Sequence, residues 1–182
     1  MLIRPAAKKD VPYITKLADS IKIDYKNPQK NGFLVYVLNK SKYGIRQEVS
    51  KFFYVAEENK KIIGFLMCYD NFTLEELLKN KELNHEDSIC NFILNQKGPY
   101  IFGDQIGISN NKTSQGVGLG LINKLIEDMK KEDIKTMYVC ILHKPVFNKA
   151  SFNFCKKIGF KKVAEITNSD KHIWGIYKLE LK

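Results

Sequence analysis

The chain has 182 residues, of which 44% are hydrophobic and 27% are charged, and it carries a formal net charge of +10 at pH 7. These values indicate a soluble globular domain with a sizeable core, and no apolar run approaches the length that spans a membrane. The lysines are spread along the chain and form no arginine-rich or basic–aromatic tract. The composition therefore disfavours membrane and nucleic-acid partners, and most of the charge is assigned to solvated surface.

Hydrophobic periodicity in the first part of the chain predicts a strand, two helices and a hairpin. Asp10 stands where it can cap the first helix, whose apolar residues recur at helical spacing as far as Ile21. Gly32 weakens the second helix. The predicted elements are a strand at 1–4, helices at 11–21 and 27–40, and strands at 52–57 and 61–69.

A long connection separates the third and fourth predicted strands at residues 71–98. Connections in compact domains are mostly about 4–6 residues long, so this one is an insertion. The segment 73–76 has the composition of a capping box, and a second helical pattern includes Ile89. We therefore predict a helical insertion, which either thickens the core or forms a lid or wall of a functional pocket.

The second half of the chain predicts alternating strands and helices. Gly103 and Gly107 lie inside the fourth strand and indicate a bulge or a close backbone approach. Gly159 is placed to end the last helix as its C-cap. The predicted elements are a strand at 100–108, a helix at 117–131, a strand at 137–142, a helix at 148–158, and a closing hairpin of strands at 163–166 and 172–181.

The most informative segment is a glycine loop, residues 115–120, between the fourth strand and the following helix. Its sequence is Gln115-Gly116-Val117-Gly118-Leu119-Gly120. The first N–H groups of a helix lack partners within it and carry partial positive charge, so a glycine-rich turn here favours a phosphate. The loop matches neither the P-loop nor the dinucleotide fingerprint. A merely flexible turn is the alternative, but alternate glycines cost backbone entropy.

Two motifs in this order resemble the GNAT acyltransferase superfamily. The glycine loop matches the family's pyrophosphate-binding Q/R-x-x-G-x-G/A pattern, and residues 148–160 are similar to its N-x-x-A/S-x-x-[LF]-Y-x-x-x-G-F segment. The opening residues 2–10 are also typical of the family. The resemblance implies a single α/β domain at 1–182 with the GNAT fold: a mixed, mostly antiparallel sheet flanked by helices, with the insertion between strands 3 and 4. It also implies acetyl-CoA as the cofactor.

The resemblance further implies which residues hold the cofactor. In this family the fourth and fifth strands splay apart, and the pantetheine arm pairs with the exposed strand edge. The glycine loop would bind the pyrophosphate, and Asn148 would cap the last helix and contact the pantetheine or the substrate. The implied cofactor-binding residues are Ile106, Gly107, Ile108, Gln115, Gly116, Val117, Gly118, Leu119, Gly120, Asn148, Ser151 and Phe154.

Members of this family let the amine attack the thioester directly, which requires a base for the amine and an acid for the thiolate. The usual acid is the tyrosine of the second motif, but Cys155 stands in its place here. The Cys155 thiol is one candidate for the general acid. Alternatively, Cys155 is a small apolar residue that faces the core, and a water or Tyr138 protonates the thiolate. Asp104 is the predicted base. Alternatively, Asp104 is an ordinary strand residue on the solvent face and has no catalytic role. Further candidate bases are Glu57, His143 and Glu165.

We expect an acetyl-CoA-dependent N-acetyltransferase that acts on a primary amine. A small-molecule amine is the first choice, a peptide or protein N-terminus the second, and an aminoacyl-tRNA amine the third. The missing tyrosine keeps a catalytically weak CoA-binding regulatory module as an alternative. The four cysteines form no C-x-x-C pair, which indicates reduced thiols, no metal site and a cytoplasmic protein. A homodimer is left open.

Overall fold

A mixed β-sheet forms the centre of the protein in a computed structural model that describes residues 1–83, 87–113 and 115–182. The strands are β1 (Leu2–Pro5), β2 (Phe53–Glu58), β3 (Lys61–Asp70), β4 (Tyr100–Ile108), β5 (Thr136–Lys144), β6 (Lys161–Thr167) and β7 (Ile173–Glu180). Their spatial order is β1-β2-β3-β4-β5-β7-β6. Within the described residues, β4 and β5 form the parallel pair and the other neighbours are antiparallel. The predicted mixed, mostly antiparallel sheet is confirmed.

Helices cover both faces of this sheet. They are α1 (Val11–Ser20), α2 (Lys40–Val49), α3 (Asn71–Lys79), α4 (Ser88–Leu94), α5 (Val117–Lys131) and α6 (Lys149–Ile158). Buried residues of α1 to α4 share one apolar cluster, and those of α5 and α6 share another. Along β2, Phe53 and Val55 belong to the first cluster and Tyr54 and Ala56 to the second, because successive side chains of a strand point to opposite faces. The sheet is therefore the middle of three layers.

The parallel pairing of β4 and β5 is short, and its end opens the sheet. The pairs run from Tyr100 with Thr136 to Gly103 with Val139. Beyond Gly103, the described part of β4 pairs with β3 alone, and β5 continues its pairing with β7. The two central strands therefore splay apart, as the family resemblance implies.

The prediction of a helix at 27–40 is wrong. Residues 21–39 form an irregular segment with one isolated bridge between Lys22 and Leu34, and the helix begins only at Lys40. Two local causes are visible. Gly32 has a φ of +96°, which is incompatible with a helix, and the Asn39 side chain accepts a hydrogen bond of 2.9 Å from the Lys42 backbone N–H, which caps α2.

Two predicted caps also differ in the structure. The carboxylate of Asp10 accepts hydrogen bonds from Arg4 and from the Ala7 N–H, so α1 begins there without a side-chain cap. Asp70, rather than Thr73, caps α3 by accepting from the Thr73 N–H at 2.8 Å. The Asp10 and Asp70 carboxylates each accept a backbone N–H, and the local sequence pattern alone does not show which N–H a short polar side chain will bind.

The helical insertion between β3 and β4 is confirmed as α3 and α4, although residues 84–86 of the 71–98 segment lie outside the described residues. Leu74, Leu77 and Ile93 of these helices are fully buried in the first apolar cluster. The insertion is therefore part of the core. No helix among the described residues has both the length and the apolar character required to cross a membrane.

Candidate active site

The open edge of β4 presents backbone groups that no strand of the described chain uses. In antiparallel pairs, hydrogen-bonded and non-hydrogen-bonded residues alternate. The Ser109 N–H donates to the Ile63 carbonyl at 2.9 Å, which fixes this alternation. Counting back from Ser109, the backbone groups of Gly107 face β3, and those of Ile106 and Ile108 face the opening. Two of the three expected residues thus offer their N–H and C=O groups to an added strand.

A β-bulge places Asp104 at the point where the strands separate. Met67 of β3 is opposite Gln105 and Cys68 is opposite Gly103, so Asp104 is the extra residue on β4. Bulges commonly redirect a side chain, and Asp104 lines a cavity in the opening, where its carboxylate is accessible to solvent but has protein atoms on all sides. The bulge that the glycines of this strand predict is confirmed.

Two cavities meet at the opening. The larger has a volume of about 730 Å³ and lies between β4, the start of α5, and α6. The smaller has a volume of about 330 Å³ and lies between the splayed strands, the 21–39 segment and the insertion. They adjoin, because both are lined by Phe33, Ile106, Ile122, Ser151, Phe154 and Ile158.

The charged residues that line the two cavities have opposite overall character. Those of the larger cavity are all basic: Lys30, Lys112 and Lys157. Those of the smaller cavity are mostly acidic: Glu82, Asp87 and Asp104, with Arg46 as the basic member. In a chain of net charge +10, an acidic cavity does not follow from overall composition. The pair of cavities is suited to an anion on one side and a cation on the other.

The glycines of the loop have different surroundings. Gly116 has a φ of +79°, and a Cβ there would meet no other part of the described chain within 4 Å, so Gly116 supplies the turn that starts α5. A Cβ at Gly118 would point into the larger cavity, 2.9 Å from Ile108 and 3.1 Å from Phe154. At Gly120 it would instead meet Ile3 of β1 at 2.5 Å. Gly120 therefore allows α5 to pack on the sheet, away from the cavities.

Most of the expected cofactor residues line the larger cavity, and four do not. Those that line it are Ile106, Ile108, Gly116, Val117, Gly118, Leu119, Ser151 and Phe154. Gly107 packs against Phe65, Gly120 against Ile3, and the Gln115 amide donates to the Asn111 carbonyl at 3.2 Å. Asn148 lines the smaller cavity.

Asn148 joins the start of α6 to the 21–39 segment. Its Oδ1 accepts from the Ser151 N–H at 3.3 Å, and its Nδ2 donates to the Phe33 carbonyl at 3.0 Å. It is therefore the N-cap of α6, as predicted. Because both ends of this amide bind the backbone, Asn148 holds the irregular segment across the opening. On the other side, Gln105 Nε2 donates to the Tyr36 carbonyl at 3.0 Å and fixes the same segment to β4.

Cys155 lies in the smaller cavity wall and is buried in the second apolar cluster. Burial raises the pKa of the Cys155 thiol to about 12, well above the ordinary value of about 8.5. Such a thiol is a weak acid. Its apolar surroundings favour the alternative interpretation, in which Cys155 is a small buried residue that packs in the core.

The other candidate acids and bases are engaged away from the cavities. The Tyr138 hydroxyl donates to Gln96 at 3.2 Å. His143 lies 2.8 Å from Glu165 and 2.9 Å from the Tyr177 hydroxyl. Glu57 accepts from Arg4 in the β1–β2 pair. Among the candidate acids and bases, the smaller cavity thus contains Asp104 and Cys155.

Several lining residues were missed by the sequence interpretation. Lys157 was assigned to the surface, although it lies on the helix face that also carries Ser151, Phe154 and Ile158, so its spacing was an available signal. Arg46 was missed because α2 was placed too early. Lys30 lies in the irregular 21–39 segment and Lys112 ends a short 3-10 helix, Asn110–Lys112, and in both places periodicity gives no signal.

Comparison with known proteins places the chain in a family. A family model described as the acetyltransferase (GNAT) family matches residues 24–160. No curated protein matches the chain significantly. Among solved structures, an N-acetyltransferase from Staphylococcus aureus has a TM-score of 0.66 and 19% identity, covering 100% of this chain and 98% of that chain.

Two further structures are similar at lower identity. The ribosomal-protein-alanine N-acetyltransferase from Brucella melitensis has a TM-score of 0.65 and 14% identity, with 100% of both chains covered. A chain of the NatC complex bound to Gag peptide and CoA has a TM-score of 0.69 and 14% identity, covering 100% of this chain and 98% of that chain. At these identities the similarity is one of fold. Because the family model spans most of the sequence, the protein belongs to the acetyltransferase (GNAT) family and is an N-acetyltransferase.

Proposed function

We propose that this N-acetyltransferase takes acetyl-CoA in the larger cavity and a primary amine in the smaller one. The opposite charge character of two adjoining cavities is the observation that carries the proposal. CoA is an anion with a pyrophosphate, and an amine acceptor reaches the enzyme mostly as an ammonium ion. Each substrate is thus attracted to its own side of the opening.

The larger cavity supplies groups that fit CoA. The start of α5 offers backbone N–H groups to an anion, because the first N–H groups of a helix have no partner within it and its N-cap Gly116 carries no side chain to accept from them. Lys30 and Lys157 add positive charge for phosphates, whereas the charge of Lys112 is partly balanced by its ion pair with Glu58. The edge groups of Ile106 and Ile108 would pair with the amides of the pantetheine arm, as in strand addition.

At the opening, the chain's own residues perform two tasks. Asp104 accepts a proton from the ammonium ion, directly or through water, so that the neutral nitrogen can attack the thioester carbonyl. An N–H of the open edge then stabilises the oxyanion, which typically contributes about 3 kcal/mol. The C–N bond forms, the C–S bond breaks, and the proton that the nitrogen then loses passes to the sulfur, directly or through water, so that CoA leaves as the thiol. The acetylated amine is the other product.

The acceptor is proposed to be compact or to enter by one end. The cavity of about 330 Å³ is walled by Leu83, Ile89 and Cys90 of the insertion, and by Trp174. A small-molecule amine fits wholly within such a space, whereas a peptide would insert only its first residue. The NatC structure with a bound Gag peptide supports the second form of acceptor by analogy of fold.

Acetyl transfer can be tested with two matched sets of acceptors. Small primary amines and short peptides with free α-amines are incubated with acetyl-CoA, and thiol release and product mass are measured. Peptides with blocked α-amines and secondary amines of similar size are the controls. Acetylated product in either primary set supports the proposal and identifies the acceptor form. CoA binding without product in any set would instead favour the weak regulatory module.

Replacing Cys155 by alanine should leave kcat within about twofold of the wild type, because a buried thiol of pKa about 12 donates its proton poorly. Steady-state rates at saturating acetyl-CoA measure this effect. Circular dichroism and the CoA thermal shift check that the variant folds and binds CoA. A loss of roughly 10²-fold in kcat with both retained would make that thiol the general acid.

A further inference from the structure

We propose that Tyr69 and Arg46 are positioning residues that hold Asp104 in the orientation and the ionised state that a base requires. The inference rests on the proposed function, because it assigns Asp104 to proton acceptance. It concerns side chains outside both family motifs, one on β3 and one on α2. Both side chains lie on the side of the sheet to which the bulge directs Asp104.

Tyr69 orients the carboxylate from the neighbouring strand. It lies at the end of β3, is fully buried, and its hydroxyl donates to Asp104 Oδ2 at 2.8 Å. A donor fixed by packing on one carboxylate oxygen sets the rotation of that group and favours its charged form. The other oxygen, Oδ1, is the one left for an acceptor amine or a water.

Arg46 supplies a buried positive charge on the same side of the sheet. Its side chain is almost completely buried and lines the smaller cavity with Asp104. Nη2 donates to the Glu82 carbonyl at 2.6 Å, whereas Nη1 lies 3.4 Å from the Glu82 carboxylate. Nε has no partner among the described residues. Arg46 and Asp104 line the same cavity, so the positive charge of Arg46 acts on Asp104 across it.

These two residues oppose other influences on Asp104. Burial raises the pKa of the Asp104 carboxyl, and the negative charge of Asp87 raises it further. The Tyr69 hydrogen bond and the charge of Arg46 lower it. The remaining titratable groups that interact with Asp104 are Tyr43, Cys68, Cys90 and Cys140. The overall pKa of Asp104 still lies above its ordinary value because burial is the largest influence, and Tyr69 and Arg46 limit that rise.

Single substitutions around Asp104 should move the acid side of the pH profile in opposite directions. Tyr69→Phe and Arg46→Gln each remove an influence that favours the charged form, so the acid limb of kcat/KM should move to higher pH. Arg46→Lys keeps the charge and should restore most of the profile. Asp87→Asn removes a competing negative charge, retains a residue able to cap α4, and should move the limb to lower pH.

The experiment compares these pH profiles with a direct titration of Asp104 by carbon NMR in the absence of substrates. Tyr54→Phe is the matched control, because the Tyr54 hydroxyl donates to Asp128 at 3.0 Å and neither residue lines a cavity. This control should leave both the profile and the Asp104 titration unchanged. Should Arg46→Gln fail to fold, Tyr69→Phe and Asp87→Asn still test opposite signs.

Two results would overturn the inference: an Asp104 titration that is identical in wild type and Tyr69→Phe, or limbs that move together in Tyr69→Phe and Asp87→Asn. Loss of stability with an unchanged profile would assign Tyr69 and Arg46 a purely structural role and also overturn it. If no amine is acetylated, the proposed function fails separately, because the NMR titration needs neither acetyl-CoA nor acceptor.

Discussion

Replacing Gly118 by glutamate should abolish the thermal stabilisation that CoA gives to the wild-type protein. A ligand at a hundredfold excess over Kd adds about 2.7 kcal/mol, and a domain of this size gains roughly 2–4 °C in Tm for each kcal/mol. The wild-type shift should therefore be roughly 5–10 °C. Differential scanning fluorimetry with and without CoA measures it.

The physical reason lies in the position of the missing Cβ. A side chain at Gly118 enters the gap between Ile108 and Phe154, which is the larger cavity, and the carboxylate of glutamate adds repulsion for phosphates. The bulk and the charge thus act in the same direction.

Gly44→Glu is the matched control for this substitution. Gly44 is also a helix residue, and no atom lies within 4 Å of its Cβ position. It lines neither cavity. The control has the same change of charge and should keep the full shift, with a small gain in stability because glycine is a poor helix former. A Gly118→Glu protein that retains the full shift would mean that CoA binds elsewhere.

Asp104→Asn should lower kcat/KM for the acceptor by roughly 10²-fold or more, which is the usual contribution of a positioned base. Asparagine has the same shape, and its Oδ1 can still accept from Tyr69, so the loss would come from proton acceptance rather than from packing. CoA binding should be retained, because Asp104 lines the smaller cavity alone. Steady-state kinetics and the CoA thermal shift separate the two effects.

Asp128→Asn is the control for this second prediction. Asp128 also accepts a tyrosine hydroxyl, from Tyr54 at 3.0 Å, and it lies on α5 away from both cavities. It should lose some stability, since it also pairs with Lys124 and Lys131, but its kcat/KM should stay near that of the wild type. Equal losses of activity in both variants would remove Asp104 from the mechanism.

The insertion combines the two roles that the sequence offered as alternatives, because it both thickens the core and forms a wall of the smaller cavity. Leu74, Leu77 and Ile93 complete the core, and Glu82 and Asp87 line the cavity between them and the sheet. Deleting the insertion would expose the core and remove the cavity wall together. Single substitutions such as Asp87→Asn are therefore the appropriate way to examine its effect on the acceptor.

Local patterns of the sequence determined most of the elements that frame the site. The apolar stripe of α5, the cap at Asn148 and the positive φ of Gly159 all follow from residue types at fixed spacing. The order of the two motifs was sufficient to indicate the family. These features were accessible because helix periodicity and caps depend on neighbours within a few residues.

The tertiary structure alone decided which residues meet at the opening. Two adjoining cavities of opposite charge are lined by residues that are far apart in the sequence, among them Arg46, Asp87, Asp104 and Lys157. No local pattern of the sequence shows that these residues meet. The roles of the glycines also required it, because the direction of an absent Cβ depends on the packing of α5 against β1 and β4. Burial and distance are properties of chain segments brought together by the fold, so the charge state of Asp104 follows from the packed structure rather than from its neighbours in sequence.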